Sequence, residues 1–427
     1  MTGPIRHFAA ALTGLGLGLL ALGPGLSSGF LLAYDMVFVP RPAFTKMTFG
    51  LAGTVPRNVP SDAVVTALAT LLPADAVQKL VLLAVFVMAC TSAASLVPSE
   101  RLTPRLAAGV CYAWNPFVAE RLLLGQWALL LGYAALPWVI GAAGSAGERG
   151  GGWRLARALL PAAVGGFAAM AVSALAAVPV ALAGPSARGR ALGRTALVLS
   201  ALSTPWLVTG LLRPSGLPAD GVAVQAFAAR ADTPFGTLGS LVLLGGVWNR
   251  ETVPAGYGMA LTAPAWLAVV VTALAFYIRW SRSAVPRPGW AHGLGWAAMA
   301  GFAVASLGAV APGLLRSLIA LWPGFAVLRD GQQYVAPVAV VVAVGLGLAA
   351  DRLPRGDPAG LAMGALAVLA PLALLPSLAW GAAGRLHAVR YPPDWTRARA
   401  IVEADPAPGA VLVLPWAAYR GYRWNGR

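Results

Sequence analysis

The chain is 427 residues long, 58% hydrophobic and only 11% charged, with a formal net charge of +16. Ordinary soluble domains carry about 25% charged residues, and one large soluble core would need polar helix faces that most of these segments lack, so the apolar runs read as membrane-spanning helices. The basic surplus does not signal nucleic acid, because the arginines are spread through short loops rather than over one aromatic-studded face, and Cys90 and Cys111 lie in apolar runs that imply neither a disulfide framework nor a zinc site.

The first apolar run covers 8–34 and ends at Asp35, in GFLLAYDMVFVPRP. It is too long for the apolar core of a signal peptide and has no clear small-x-small cleavage site, so it reads as a retained span. In SDAVVTALATLLPADAVQKL, residues 61–80, apolar positions recur at helical spacing behind a Ser61–Asp62 cap signal, which predicts an amphipathic helix on the membrane surface. Further spans are expected over 80–98, 106–118, 127–144, 196–212, 259–278, 289–311, 334–350 and 361–384. The apolar stretch between Arg157 and Arg188 reads as a hairpin turning near Ser173, which keeps its arginine-rich flanks on one side.

The expected architecture is therefore an all-α polytopic membrane protein of about eleven transmembrane helices. With the hairpin, segments 1–7, 99–105, 145–157, 185–195, 279–288 and 351–360 fall on one side and hold 14 Arg in 58 residues. That bias assigns them to the cytoplasm, with the N-terminus inside and the C-terminus outside. Outer loops 35–79, 115–126, 213–258 and 312–333 are long enough to carry a site. After the membrane domain, 1–384, the tail 385–427 reads as a short extracytoplasmic α/β unit, a helix capped at Asp394 followed by a buried strand in AVLVLPW. One helix and one strand make no core, so the unit is expected to be incomplete.

The candidate residues lie in those outer loops. Asp35 ends the first run; Glu120, Arg121 and Gln126 lie in NPFVAERLLLGQW; Arg230 and Asp232 in AARADTPFG; Trp248 and Asn249 in GGVWNRETVP; Arg329, Asp330 and Gln332 in FAVLRDGQQY. Arg41, Lys46 and Arg57 add cations to the first loop. Each has a bland reading: a boundary carboxylate solvated by headgroups, a charge pair anchoring a turn, tryptophans forming an interface belt. Together they suit an amphiphilic substrate, with a phosphate held by guanidinium groups, a tail among the helices and a carboxylate at the edge to take a proton. His7, His292 and His387 are scattered and give no metal spacing.

The order of a carboxylate in the first outer loop, then a surface helix, then a bundle of about eleven spans resembles the GT-C superfamily of integral-membrane glycosyltransferases. WNPFVAERLLLGQWALLLGYAALPW, FAARADTPFGTLGSL, WNRETVP and LRDGQQYVAP resemble segments of its bacterial members, arabinofuranosyltransferases among them. The resemblance implies a polyprenyl-phosphate sugar as donor, an envelope glycan or protein as acceptor, Asp35 as general base and Arg329 or Arg121 stabilising the departing phosphate, in the cytoplasmic membrane. Many members carry a paired acidic motif, whereas Asp35 stands alone between Tyr34 and Met36. That departure weakens the case for a metal-assisted reaction and leaves an inactive homologue open; the sequence establishes no cofactor, and a divalent cation is an option. A non-catalytic envelope scaffold or inactive homologue, and a transporter or flippase of lipid-linked substrates, are the competing readings. The latter predicts midplane charges and inverted repeats, which the sequence lacks.

Overall fold

A computed structural model of the chain describes residues 3–52, 59–184, 187–212, 222–283, 285–286, 288–407, 409, 411–415 and 421–425. It is an all-α membrane protein. Among the described residues six helical segments are long and apolar enough to cross a bilayer, Ile5–Leu26, Ala74–Leu96, Arg188–Leu211, Thr262–Ser283, Ala291–Val310 and Gly331–Asp351, and the bent pair Pro358–Leu374 and Pro376–Ala383 makes a seventh if it is one span. In chain order the helices are α1 (Gly3–Leu22), α2 (Ser61–Ala69), α3 (Ala74–Leu96), α4 (Leu102–Ala113), α5 (Pro116–Leu123), α6 (Trp127–Ala143), α7 (Gly151–Gly165) and α8 (Phe167–Ala183). They continue with α9 (Arg188–Leu211), α10 (Val222–Ala226), α11 (Gly236–Val242), α12 (Thr262–Ser283), α13 (Ala291–Val310), α14 (Pro312–Leu321), α15 (Ala336–Asp351) and α16 (Pro358–Leu374).

The central helix is α15. Its sequence, APVAVVVAVGLGLAAD, is apolar all round, and nearly every residue is buried, as expected of a helix surrounded by others. It packs on α4 and α12, while α3 joins α1, α4 and α6. Small residues set the close approaches. Gly345 of α15 lies against the Ala273 carbonyl of α12, and Gly109 of α4 against Cys90 of α3.

The stretch between Arg157 and Arg188 is a hairpin, but its turn is at Gly166, not Ser173. Gly151 lies against Ser145 and Ala146, and Gly184 against Gly144, so α7 and α8 begin and end at one end of the bundle. Gly165 lies against the Ala128 carbonyl at the other end. Gly166 has φ 78° and ψ −150°, a backbone state that only glycine adopts without strain, whereas Ser173 is buried within α8.

Several expected boundaries move for local reasons. The first helix stops at Leu22, because Gly23–Pro24–Gly25 turns the chain. Asp35 therefore sits beyond the helix end. The surface helix is α2 alone; Pro73 precedes a new start, and residues from Ala74 on belong to α3. Segment 115–126 is not an open loop but mostly α5, and 312–333 contains α14. In the tail, Pro393–Ala404 is helical, with Asp394 inside its first turn rather than capping it. The anticipated strand in AVLVLPW does not form among the described residues 411–415, whose Val411, Leu412 and Leu414 are exposed. The strand the tail does make is β2 (Ala388–Val389), paired antiparallel with β1 (Phe30–Leu31).

Candidate functional site

The site begins with a two-residue hairpin. Ala33 and Met36 exchange backbone hydrogen bonds of 3.2 and 2.7 Å, leaving Tyr34 and Asp35 at the tip. Tyr34 takes φ 38°, the left-handed conformation such a tip requires. Asp35 N donates to Leu124 O at 3.1 Å, docking the hairpin on the turn after α5. That turn must carry glycine at 125. Its φ is 74°, and a Cβ there would sit 2.1 Å from Ala33 O. The Asp35 carboxylate is thus exposed, on a tip fixed by main chain.

Gln126 Nε2 donates to Asp35 Oδ2 at 3.1 Å. The Gln126 carbonyl in turn accepts from Arg121 Nη1 at 2.6 Å. Arg121 is fully buried. It grips Asp330 with both terminal nitrogens, at 2.7 and 3.0 Å, and Nη2 also donates to Gln332 Oε1. Its guanidinium stands 5.7 Å from the Phe117 ring centroid. The sequence reading offered Arg121 as a phosphate ligand. The structure corrects this, because four of its N–H vectors are committed and the group has no access to water. Its role is to hold Asp330 and orient Gln126.

Beneath this pair lies a second acid cluster. Gln332 Nε2 donates to Glu120 Oε2 at 2.9 Å and to Gly245 O at 3.3 Å. Glu120 is fully buried and does not pair with its neighbour Arg121; its carboxyl is within hydrogen-bonding reach of Asp232. Glu120 Oε1 and Asp232 Oδ1 have no hydrogen-bond partner among the described residues. α5 is not a membrane-spanning helix, and there the Glu120 carboxyl is held well above the usual range, first by burial and then by the Asp232 carboxylate. Asp232 Oδ2 accepts from Gly246 N. Tyr257, whose hydroxyl donates to Leu243 O at 2.9 Å, is pushed well above a normal phenol by burial and then by the same two acids.

The helix that presents Glu120 and Arg121 is built by Asn115. Its Oδ1 caps α5 through Val118 N at 3.1 Å, and Nδ2 donates to Cys111 O, Tyr112 O and the Tyr133 hydroxyl at 2.8–2.9 Å. One side chain thereby ends α4, starts α5 and fixes both to α6.

The remaining candidates divide. Arg329 lies over the Phe227 ring at 5.5 Å, and Trp248 meets the same ring edge-on at 4.7 Å. Asn249 caps a short turn through Glu251 N at 3.0 Å. Glu251 then receives the Tyr34 hydroxyl, tying this loop to the Asp35 hairpin. Arg230 is exposed; its backbone N donates to Gly246 O at 3.2 Å. Arg41 and Lys46 are exposed, and among the described residues none of their bonds joins this network. Arg41 O instead accepts from Arg399 of the tail helix at 3.2 Å. Arg57 lies outside the described residues. The sequence reading missed Tyr34, Phe227 and Tyr257, whose aromatic character gave no signal distinct from packing.

A continuous bonded chain thus joins Asp35, Gln126, Arg121, Asp330, Gln332 and Glu120 from three separated segments, and Asp232 of a fourth adjoins Glu120. Among the described residues no three His, Cys, Asp or Glu side chains gather as a metal site. No family model, curated protein or solved structure matches the chain.

Proposed function

We propose that the protein is an integral-membrane glycosyltransferase of the GT-C kind. It moves a sugar from a polyprenyl-phosphate donor to a hydroxyl of an envelope glycan or protein acceptor. In this reading α1, α3, α4, α6, α7, α8, α9, α12, α13, α15 and α16 are the eleven crossings, and the Asp35 end faces out of the cytoplasm.

The observation that carries the reading is the placement of Asp35. Its carboxylate is exposed, yet it sits on a docked hairpin and is held by Gln126, itself anchored by a buried ion pair. A boundary charge serving only solvation needs no such support; a general base needs its lone pair aimed. As the acceptor oxygen bonds to the anomeric carbon, the bond from that carbon to the phosphate oxygen breaks, the electron pair leaves with phosphate and the hydroxyl proton passes to Asp35. Arg329 and the exposed Arg230 are the cations of this face suited to the developing phosphate charge, and Arg121 is not. A divalent cation, if used, would assist the same charge.

The test is Asp35→Asn, assayed by release of lipid phosphate from polyprenyl-phosphate sugars with purified protein. Transfer falls at least about 100-fold while thermal stability is unchanged. Equal transfer by the variant removes Asp35 from the chemistry. A second reading, a non-catalytic homologue whose network merely joins loops, draws on the saturation of Arg121; it predicts no transfer by the parent protein with any donor.

A further inference from the structure

At the end of the bundle opposite Asp35, two hollows flank the loop between α15 and α16. One, of about 490 Å³, is bordered by Phe276, Arg279, Trp280, Asp351 and Arg352. Trp280 is supported by Trp290 and Tyr277, at ring separations of 5.5 and 6.0 Å. The other, of about 520 Å³, is a groove between α4 and α16. Leu102 and Leu106 form one wall, and Leu361, Val368 and Leu369 the other, with Arg101 and Arg355 at the loop end. From Leu361 to Leu369 the apolar wall descends α16 by about 12 Å, away from the loop and into the bilayer.

The charges around these hollows do not balance. Asp351 is engaged by Ser99 Oγ at 2.6 Å and by Arg101 at 3.9 Å. Asp357 caps α16 through Gly360 N at 2.8 Å, and Glu100 pairs with Arg6. Arg101 also donates to the carbonyls of Asp351 and Leu353, at 2.8 and 3.3 Å, which stiffens the loop. The exposed Arg279, Arg352 and Arg355 have no side-chain partner among the described residues. An anion with a long apolar appendage satisfies both features at once: guanidinium groups for a phosphate, an apolar slot for hydrocarbon.

We propose that these hollows form one binding site for an anionic phospholipid of the adjoining leaflet. Its phosphate lies between Arg352 and Arg355, with Arg279 and Trp280 bordering the rest of the headgroup. One acyl chain lies in the α4–α16 groove. This site is independent of the reaction proposed for the Asp35 face.

The experiment uses the full chain, stripped of lipid in detergent, with phosphatidylglycerol or phosphatidylcholine of identical acyl chains added and bound lipid counted by native mass spectrometry. Phosphatidylglycerol binds preferentially. Arg352→Gln combined with Arg355→Gln weakens it about thirtyfold, the scale expected for two basic residues at an anionic surface. Leu106→Trp, which fills the groove at constant charge, weakens it too, and Arg190→Gln, an exposed arginine outside both hollows, leaves it unchanged. Helical circular dichroism confirms that each variant is folded. Equal binding of phosphatidylcholine, unaltered binding by the double variant, or equal loss with Arg190→Gln overturns the proposal. Displacement of the lipid by inorganic phosphate alone does so as well, since the groove would then contribute nothing.

Discussion

Replacing Asp330 with Ala tests the support beneath Asp35 most directly. Arg121 has no accessible surface, and among the described residues Asp330 is its only anionic hydrogen-bond partner, through two bonds of 2.7 and 3.0 Å. The variant leaves a buried guanidinium with only neutral acceptors, Gln126 Oε1 and Gln332 Oε1. Breaking a buried pair from one side costs about 3–5 kcal/mol. The Asp330 side chain is 21% exposed, so water replaces part of what it supplied, and the lower end, about 3 kcal/mol, is expected. Asp330→Asn keeps one acceptor and costs about half as much. Removing both charges, as Arg121→Met with Asp330→Leu, leaves no unpaired ion and recovers part of the loss. The assay is equilibrium unfolding in mixed micelles, followed by circular dichroism. A cost below about 0.5 kcal/mol for Asp330→Ala would refute the reasoning, because the guanidinium would not depend on the carboxylate and Gln126 would have no fixed anchor.

The other expectations concern neighbouring groups. Glu120→Gln keeps the hydrogen-bonding shape of a protonated acid, so it changes stability by less than about 1 kcal/mol below the ordinary Glu value of about 4.3 and is more stable than the parent near neutral pH. Burial and Asp232 raise the Glu120 pKa, with Arg121 opposing, so the folded state keeps a proton that the unfolded chain releases. Stability contributed by this group is full below the ordinary Glu value of about 4.3 and falls as pH rises above it; Glu120→Gln loses that slope in a pH series of unfolding curves. Gly125→Ala costs about 2 kcal/mol or more in the same assay, from the positive φ and the contact with Ala33 O, and displaces the Asp35 tip. Asn115→Ala costs about 2 kcal/mol, combining a lost cap with unpaired carbonyls at the α4–α5 break. An impermeant thiol reagent labels Arg250→Cys and Arg355→Cys from opposite sides of a sealed vesicle, and labelling from one side breaks the assigned topology.

The spanning helices were legible because an apolar run of about 20 residues is seldom anything but a membrane span. Helix interruptions were less so. Pro137, Pro161, Pro179, Pro205 and Pro371 all lie inside helices, where neighbouring helices satisfy the backbone they disturb, while the turn of the α7–α8 hairpin rests on Gly166, one glycine among the 50 of the chain. Glu120 and Arg121 read as surface charges, since charge in a short segment between spans ordinarily means water. Their burial depends on Asp232, Asp330 and Gln332, which lie far off in sequence. AVLVLPW has strand composition, but its described residues 411–415 take no strand conformation, and composition cannot supply a neighbouring strand.

The two-stranded pairing has a temporal meaning. Phe30–Leu31, just ahead of the Asp35 tip, bonds to Ala388–Val389, and the Tyr391 hydroxyl donates to Phe38 O at 2.8 Å on its other side. A ribosome delivers the first segment long before the second, so the loop must wait, undocked, through insertion of the whole bundle. Whatever chemistry this surface performs is withheld from a nascent chain until the segment carrying Ala388 and Val389 has emerged.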